Sequence, residues 1–209
     1  MRVSDAVVGA AVHYARAEFV IVGMDGITPV FVDRRRVGLI DECLPIAPYH
    51  HEALKLGIRA ASELVSLVKR SVARHAAEAL STLCASYPVS VLILAASPHD
   101  SLPESLEEIL KSRPLTFAAD GMLYRESLAK AAADLGLDVR RFPRRADLPV
   151  LAAESLGMDV SAVNALIARF GREAGPPWRK DHKLAAAAAL SVVGRKIREF
   201  ATVRDSSCP

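Results

Sequence analysis

The 209-residue chain is predicted to adopt an α/β fold, and three observations point there. Its first forty residues read as β-branched, period-two segments separated by gaps too short for a helical crossover. A long stretch of 3.6-residue apolar periodicity follows, and after it strand and helix patterns alternate.

The opening segments are AVVGAAVHY (6–14), EFVIVGM (18–24) and TPVFVDRRRVGLI (28–40). Asp25 and Gly26 supply turn chemistry between the last two, so a three-stranded antiparallel meander is expected. After the Pro-containing loop CLPIAPYHH, apolar residues recur at Ala61, Leu64, Val65, Val68, Val72, Ala76, Leu80 and Leu83, the spacing of one helix face. An unbroken helix over 52–86 would be about 50 Å long at about 1.5 Å per residue. Gly57 should therefore break it, or its end projects and packs on a second copy, giving a homodimer through the long helix.

Further on, VSVLILAA (89–96) reads as a buried strand, PESLEEILKS (103–112) as a short helix opened by proline and acids, and LTFAA (115–119) as another strand. DGMLYRESLAKAAADLG is then a helix closed by Gly136, and LDVRRFP a strand. Strand-helix-strand units of this kind build parallel sheet. Helices over 149–156 and 161–169, the loop GREAGPPW and an alanine-rich helix over 181–200 complete a single domain, 1–204, with 205–209 as a disordered tail.

Composition narrows the function classes. Hydrophobic residues make up 51% and mean hydropathy is +0.21. No stretch of about 18 apolar residues lacks charges, so no membrane partner is expected. Asp5, Arg16 and Glu18 interrupt what would be the apolar core of a signal peptide, which makes the expected location cytoplasmic. Cys43, Cys84 and Cys208 have no zinc-ligand spacing. A net charge of +3 permits DNA or RNA as a partner without demanding it. Aromatic residues at 5% give little support to a base-stacking platform. Neither GxGxxG nor GxxxxGK occurs, so no nucleotide cofactor is expected.

The order meander, long helix, then alternating strands and helices ending in a helix over the sheet resembles the ribonuclease H-like fold. Residues 117–190 resemble the RuvC-type Holliday-junction resolvases and the DEDD transposases built like them. Phe117, Ala118, Ala119 and Asp120 look like the family's acid-ended central strand, with Gly121 and Tyr124 opening the next helix. VRRFPRR looks like the following strand and its exit, and KDHKLAAAAA like the final helix. The resemblance implies a metal-dependent nuclease in which converging carboxylates hold two Mg or Mn ions about 4 Å apart. Asp120 would then be the second acid of the set and Asp181 the third, both catalytic and metal-ligating. Ala11 stands at the place of the first acid and Leu184 at that of the fourth, so the resemblance is to a degenerate member with an altered or lost metal site. His13, two positions beyond Ala11 on the same strand face, and His182 are the candidate replacement ligands.

Other readings of these residues stay open. Asp120 and Asp181 each suit a helix cap or first turn. The PYHHEA run puts His50, His51 and Glu52 where general acid/base work is conceivable, and SPHD (97–100) follows a strand end. For phosphate contacts the candidates are Arg140, Arg141, Arg144, Arg145, Arg179 and Lys180, with further basic clusters at 34–36 and at Lys69, Arg70 and Arg74. The leading expectation is a nucleic-acid-binding ribonuclease H-like protein; the alternative is a non-catalytic scaffold that self-associates through 52–86.

Overall fold

Strand alternation decides which side chains meet which helices. The computed structural model describes residues 4–97 and 101–205, with side chains described over 5–97 and 101–194. The strands β1 (Ser4–His13), β2 (Arg16–Asp25) and β3 (Thr28–Gly38) form the antiparallel meander, with Ala15 and Gly26 at positive φ in its two turns. Beside β1 lies β4 (Val89–Ala95), parallel to it, and β5 (Asp138–Phe142) is parallel to β4, giving the order β3-β2-β1-β4-β5. The carboxyl ends of β1, β4 and β5 therefore share one edge.

Alternate residues of these strands feed two cores. Ala6, Val8, Ala10, Phe19, Ile21, Leu92 and Leu94 face helices α1 (Ile58–Ser86) and α3 (Arg113–Asp134). Val7, Ala11, Val20, Val22, Val91 and Ile93 face α6 (Lys180–Asp205) on the other side. Between these elements lie the short α2 (Leu106–Leu110), capped by the Ser105 hydroxyl, and α4 (Leu148–Leu156) and α5 (Val160–Ala174), which meet at 102° after the left-handed Gly157. Of the expected tail, Asp205 ends α6 and 206–209 lie outside the described residues.

As expected, Gly57 interrupts the long helix, leaving only a 3-10 turn, Ala53–Lys55, ahead of α1. The stripe expected to serve self-association is spent inside the chain. Val68, Val72, Ala76, Leu80 and Leu83 are buried on the sheet, and Leu64 packs against the same core.

The expected strand LTFAA is a correction. Residues 115–119 belong to the first turns of α3, because Pro114 presets the helical φ at its start and Thr116, Ala119, Asp120, Leu123 and Tyr124 bury one helical face. Asp120 is thus neither a strand end nor a helix cap. It sits inside α3, fully buried, and its two carboxylate oxygens accept the backbone N–H groups of Tyr49 at 3.1 Å and His50 at 3.0 Å. Tyr124, one turn on, donates its hydroxyl to the Ile46 carbonyl at 2.7 Å, so α3 pins the loop at two points. The two pinned residues hold the His50 ring 3.7 Å from the Phe117 ring and 4.0 Å from that of His51. Burial pushes the Asp120 carboxyl up to about 6, against the two N–H donors that favour its ionised form.

The alanine run of α6 answers to close packing on both sides. Ala185 to Leu190 are all buried, because the helix is pressed between the sheet and α4. At Gly9 the backbones nearly touch: a Cβ there would stand 1.9 Å from the Ala185 carbonyl oxygen. Gly194 plays the same part against α4, where a Cβ would meet the Ser155 carbonyl oxygen at 2.2 Å.

Gly9→Ala should therefore lower the unfolding free energy by about 3 kcal/mol in urea titrations, since neither backbone can yield. Gly38→Ala, with open space around its Cα, should change it by no more than about 0.5 kcal/mol. The Asp120 carboxyl is protonated more readily folded than unfolded, so its contribution is complete below its ordinary value of 3.8 and is lost as pH rises to about 6. Across that window the stability of the wild type relative to Asp120→Asn should fall by on the order of 3 kcal/mol, and stay level above it. Equal pH profiles for the two proteins would show that Asp120 does not titrate in this range.

Candidate functional site

At the carboxyl edge of β1, on the α6 side of the sheet, charged residues replace the apolar pattern. Register places them: His13 is opposite Arg16, Ala11 opposite Glu18, Glu18 opposite Arg36, and Val20 opposite Arg34. Cross-strand partners point to the same face. Since Ala11 and Val20 belong to the α6-side core, Glu18 and the arginines project beneath the first turn of α6. Together with Arg179, Asp181 and His182 they line a cleft of about 360 Å³.

The first turn of α6 is fastened to this patch by its own residues. The Arg179 N–H donates to His182 Nδ1 at 3.0 Å, the backward half of a capping box in which imidazole takes the place usual for Glu or Gln. With Nδ1 accepting, the ring carries its proton on Nε2, which faces Glu18 Oε2 at 3.5 Å. Burial, reinforced by the Arg34 and Arg179 charges, holds His182 below the usual histidine range despite Glu18, which suits the neutral ring. Trp178 stacks on it, 5.4 Å between centroids and 15° from parallel. That indole lies so close to Gly171 that a Cβ there would meet it at 2.6 Å. Arg34 clasps the loop before the helix, donating to the carbonyls of Pro176 at 3.0 Å and Pro177. Asp181 is held by His13, Nε2 to Oδ2 3.0 Å.

The remaining charges set the cleft's character. Glu18, 6% exposed, lies 3.5 Å from Arg36 Nε. Arg16 lies alongside, and its Nε is buried without a hydrogen-bond partner. Four guanidiniums against two carboxylates, one of them taken by His13, leave the cleft cationic.

The residues expected to converge do not do so. Asp120 is on α3 and fixed to the 46–50 loop, on the far side of the sheet from Asp181, because strand alternation sends α3 and α6 to opposite faces. The strand expected to end at Asp120 does not exist, and β4, the parallel strand beside β1, ends at Ala95. Beyond it Ser97 donates to Glu126 on α3, whose carboxylate also accepts from Arg141 at 2.7 and 3.2 Å, and Arg140 is paired with Asp138 at 2.6 Å. Both arginines, expected from the sequence to contact phosphate, thus carry carboxylate partners at the surface. Arg145 and Lys180 line a different cleft beside α4, and Arg144 is exposed. The loop residues His99 and Asp100 lie outside the described residues.

A divalent metal does not fit this donor set. His182 presents no free lone pair, Ala11 and Ala95 offer none, and among the described residues no group of three His, Cys, Asp or Glu side chains could hold an ion. Sequence reasoning missed Arg16 and Glu18. Their signal was legible: two charges at i and i+2, on one face of a strand that is otherwise apolar.

No family model and no curated protein matches the chain. Among solved structures, Thermus thermophilus RuvC in complex with a Holliday junction substrate superposes with a TM-score of 0.53 at 10% identity, covering 93% of this chain and 96% of that one. A second Thermus thermophilus RuvC structure gives 0.51 at 11% identity with the same coverage. The chain has the ribonuclease H-like fold in the arrangement seen in RuvC.

Proposed function

We propose that the chain binds nucleic acid and does so by guanidinium contacts to backbone phosphates, in the cleft under the first turn of α6. The observation that carries the reading is the set of four arginines lining that cleft, whose two carboxylates are already engaged, Glu18 with Arg36 and His182 and Asp181 with His13. A guanidinium offers planar, bidentate, permanently charged donors suited to a phosphate's oxygens. The likeness in fold to a RuvC seen with a Holliday junction supports nucleic acid as the partner class.

Each residue then has a part. Arg16, with a buried Nε lacking a partner, and Arg179, at the helix entrance, are the phosphate contacts. Arg36 adds its outer nitrogens while Glu18 steadies its Nε. Arg34 is a positioning residue, occupied by the Pro176 and Pro177 carbonyls. His182 and Asp181 fix the helix turn rather than meet the ligand. The reading is of a protein that holds nucleic acid without metal-dependent cleavage.

Fluorescence anisotropy with a labelled DNA or RNA tests it. Affinity should fall steeply with salt, and replacing Arg16 and Arg179 with alanine should weaken binding about tenfold or more and flatten the logarithmic salt slope by roughly one to two. Chelation with EDTA should leave affinity unchanged. Asp181→Asn should leave or strengthen binding, because it removes negative charge from the cleft, whereas a metal-bridged site would lose it. Unaltered affinity in the double arginine variant, or loss of binding in EDTA, sinks the reading.

A further inference from the structure

The first turn of α6 is a ridge with a second cleft on its other flank. Lys180, Lys183, Leu184 and Ala187 fall at i, i+3, i+4 and i+7, one stripe of the helix, turned away from the Arg179, Asp181 and His182 side. They face Arg145, in the turn after β5, across a cavity of about 700 Å³. Its floor is aliphatic, built from residues such as Leu148, Ile167 and Leu184, with the Asn164 amide at the side.

The basic charges here outnumber the acidic ones. Among the described residues, no carboxylate lies within ion-pair distance of Arg145, Lys180 or Lys183. The acid on the wall, Asp147, is occupied as the cap of α4, its Oδ1 accepting the Val150 N–H at 3.3 Å. Three cations above an apolar floor call for a ligand with a concentrated negative head and an apolar body. An internal phosphodiester carries one charge; a terminal phosphate monoester carries about −1.5 to −2 and three acceptor oxygens. The entrance of α6 adds the positive end of its dipole to the same spot.

We propose that this cleft takes a nucleoside phosphate with a terminal phosphate monoester, its head among Arg145, Lys180 and Lys183 and its sugar and base over the aliphatic floor. The group can come from the 5′-phosphorylated end of a strand or from a free nucleotide. The strand-end source rests on the nucleic-acid reading above; the free-nucleotide source does not.

Paired oligonucleotides of one sequence, 5′-phosphorylated and 5′-hydroxyl, with AMP and UMP as competitors, decide it. The phosphorylated strand should bind about tenfold tighter. The Lys180→Ala, Lys183→Ala double variant should lose that preference and keep the 5′-hydroxyl affinity with its dependence on Arg16. A preference that resists competition assigns the cleft to strand ends; one erased by millimolar AMP or UMP assigns it to free nucleotides as well. Equal affinity for the two strands, or a preference that survives in the double variant, overturns the strand-end proposal. If neither oligonucleotide binds, the nucleic-acid reading fails on its own, and calorimetry with AMP and UMP judges the cleft: binding lost in the double variant sustains it, and no binding by the wild type overturns it.

Discussion

The approach of α6 to β1 at Gly9 governs the rest of the molecule. With a Cβ 1.9 Å from the Ala185 carbonyl oxygen, no other residue type fits at Gly9 without backbone displacement. Alanine is the strongest helix former and also the side chain that lets two backbones meet. That seating carries the first turn of α6 to the end of β1, where His13 reaches Asp181 and Glu18 reaches His182. Had the helix stood a further side-chain diameter away, the charged patch on β1, β2 and β3 would be an open surface instead of a cleft.

Inside that cleft, burial of Glu18 is the feature that most needs a physical reason. A carboxylate taken out of water costs several kcal/mol unless charge and donors surround it. Here a guanidinium and a ring N–H do so: Arg36 Nε and His182 Nε2, each at 3.5 Å. Neither contact is tight, so the arrangement is held as much by the cap at His182 and the Trp178 stack as by the charges themselves. Glu18 also lies directly across from Ala11, so the acid that this edge does contain comes from β2 and is enclosed by cations. An ion-binding carboxylate must present lone pairs to a vacant position; this one presents them to Arg36 and to an imidazole N–H.

Local pattern carried much of the fold. The meander, α1, β4, β5 and α6 follow from period-two and 3.6-residue spacing, because each packs where its pattern points, the helices on one core and the strands between two. LTFAA misled because five apolar or small residues after a proline satisfy both a short strand and a helix start, and only the helical continuation to Leu123 and Tyr124 distinguishes them. That one misassignment displaced the expected site: with residues 115–119 taken as the central strand, Asp120 became its terminal acid. In the fold the parallel strand beside β1 is β4, and Asp120 is a buried acceptor for two loop amides 70 and 71 residues away in sequence, a relation that no local pattern encodes.

The site was legible only where strand register is short-range. His13 and Ala11 share a face by alternation, and His13 does meet α6, through Asp181. Arg16 and Glu18 were equally readable from β2 alone, yet their significance depends on what covers them, and that cover comes from the far end of the chain. Arg140 and Arg141 show the converse: abundant in charge by sequence, they are paired with Asp138 and Glu126 once folded. Lys180 and Lys183 differ from them in one respect that governs chemistry. They sit on a helix whose neighbouring acid, Asp181, is turned about 100° from Lys180 and about 160° from Lys183 and is already held by His13, so among the described residues neither lysine has an ion-pair partner where it faces the cleft.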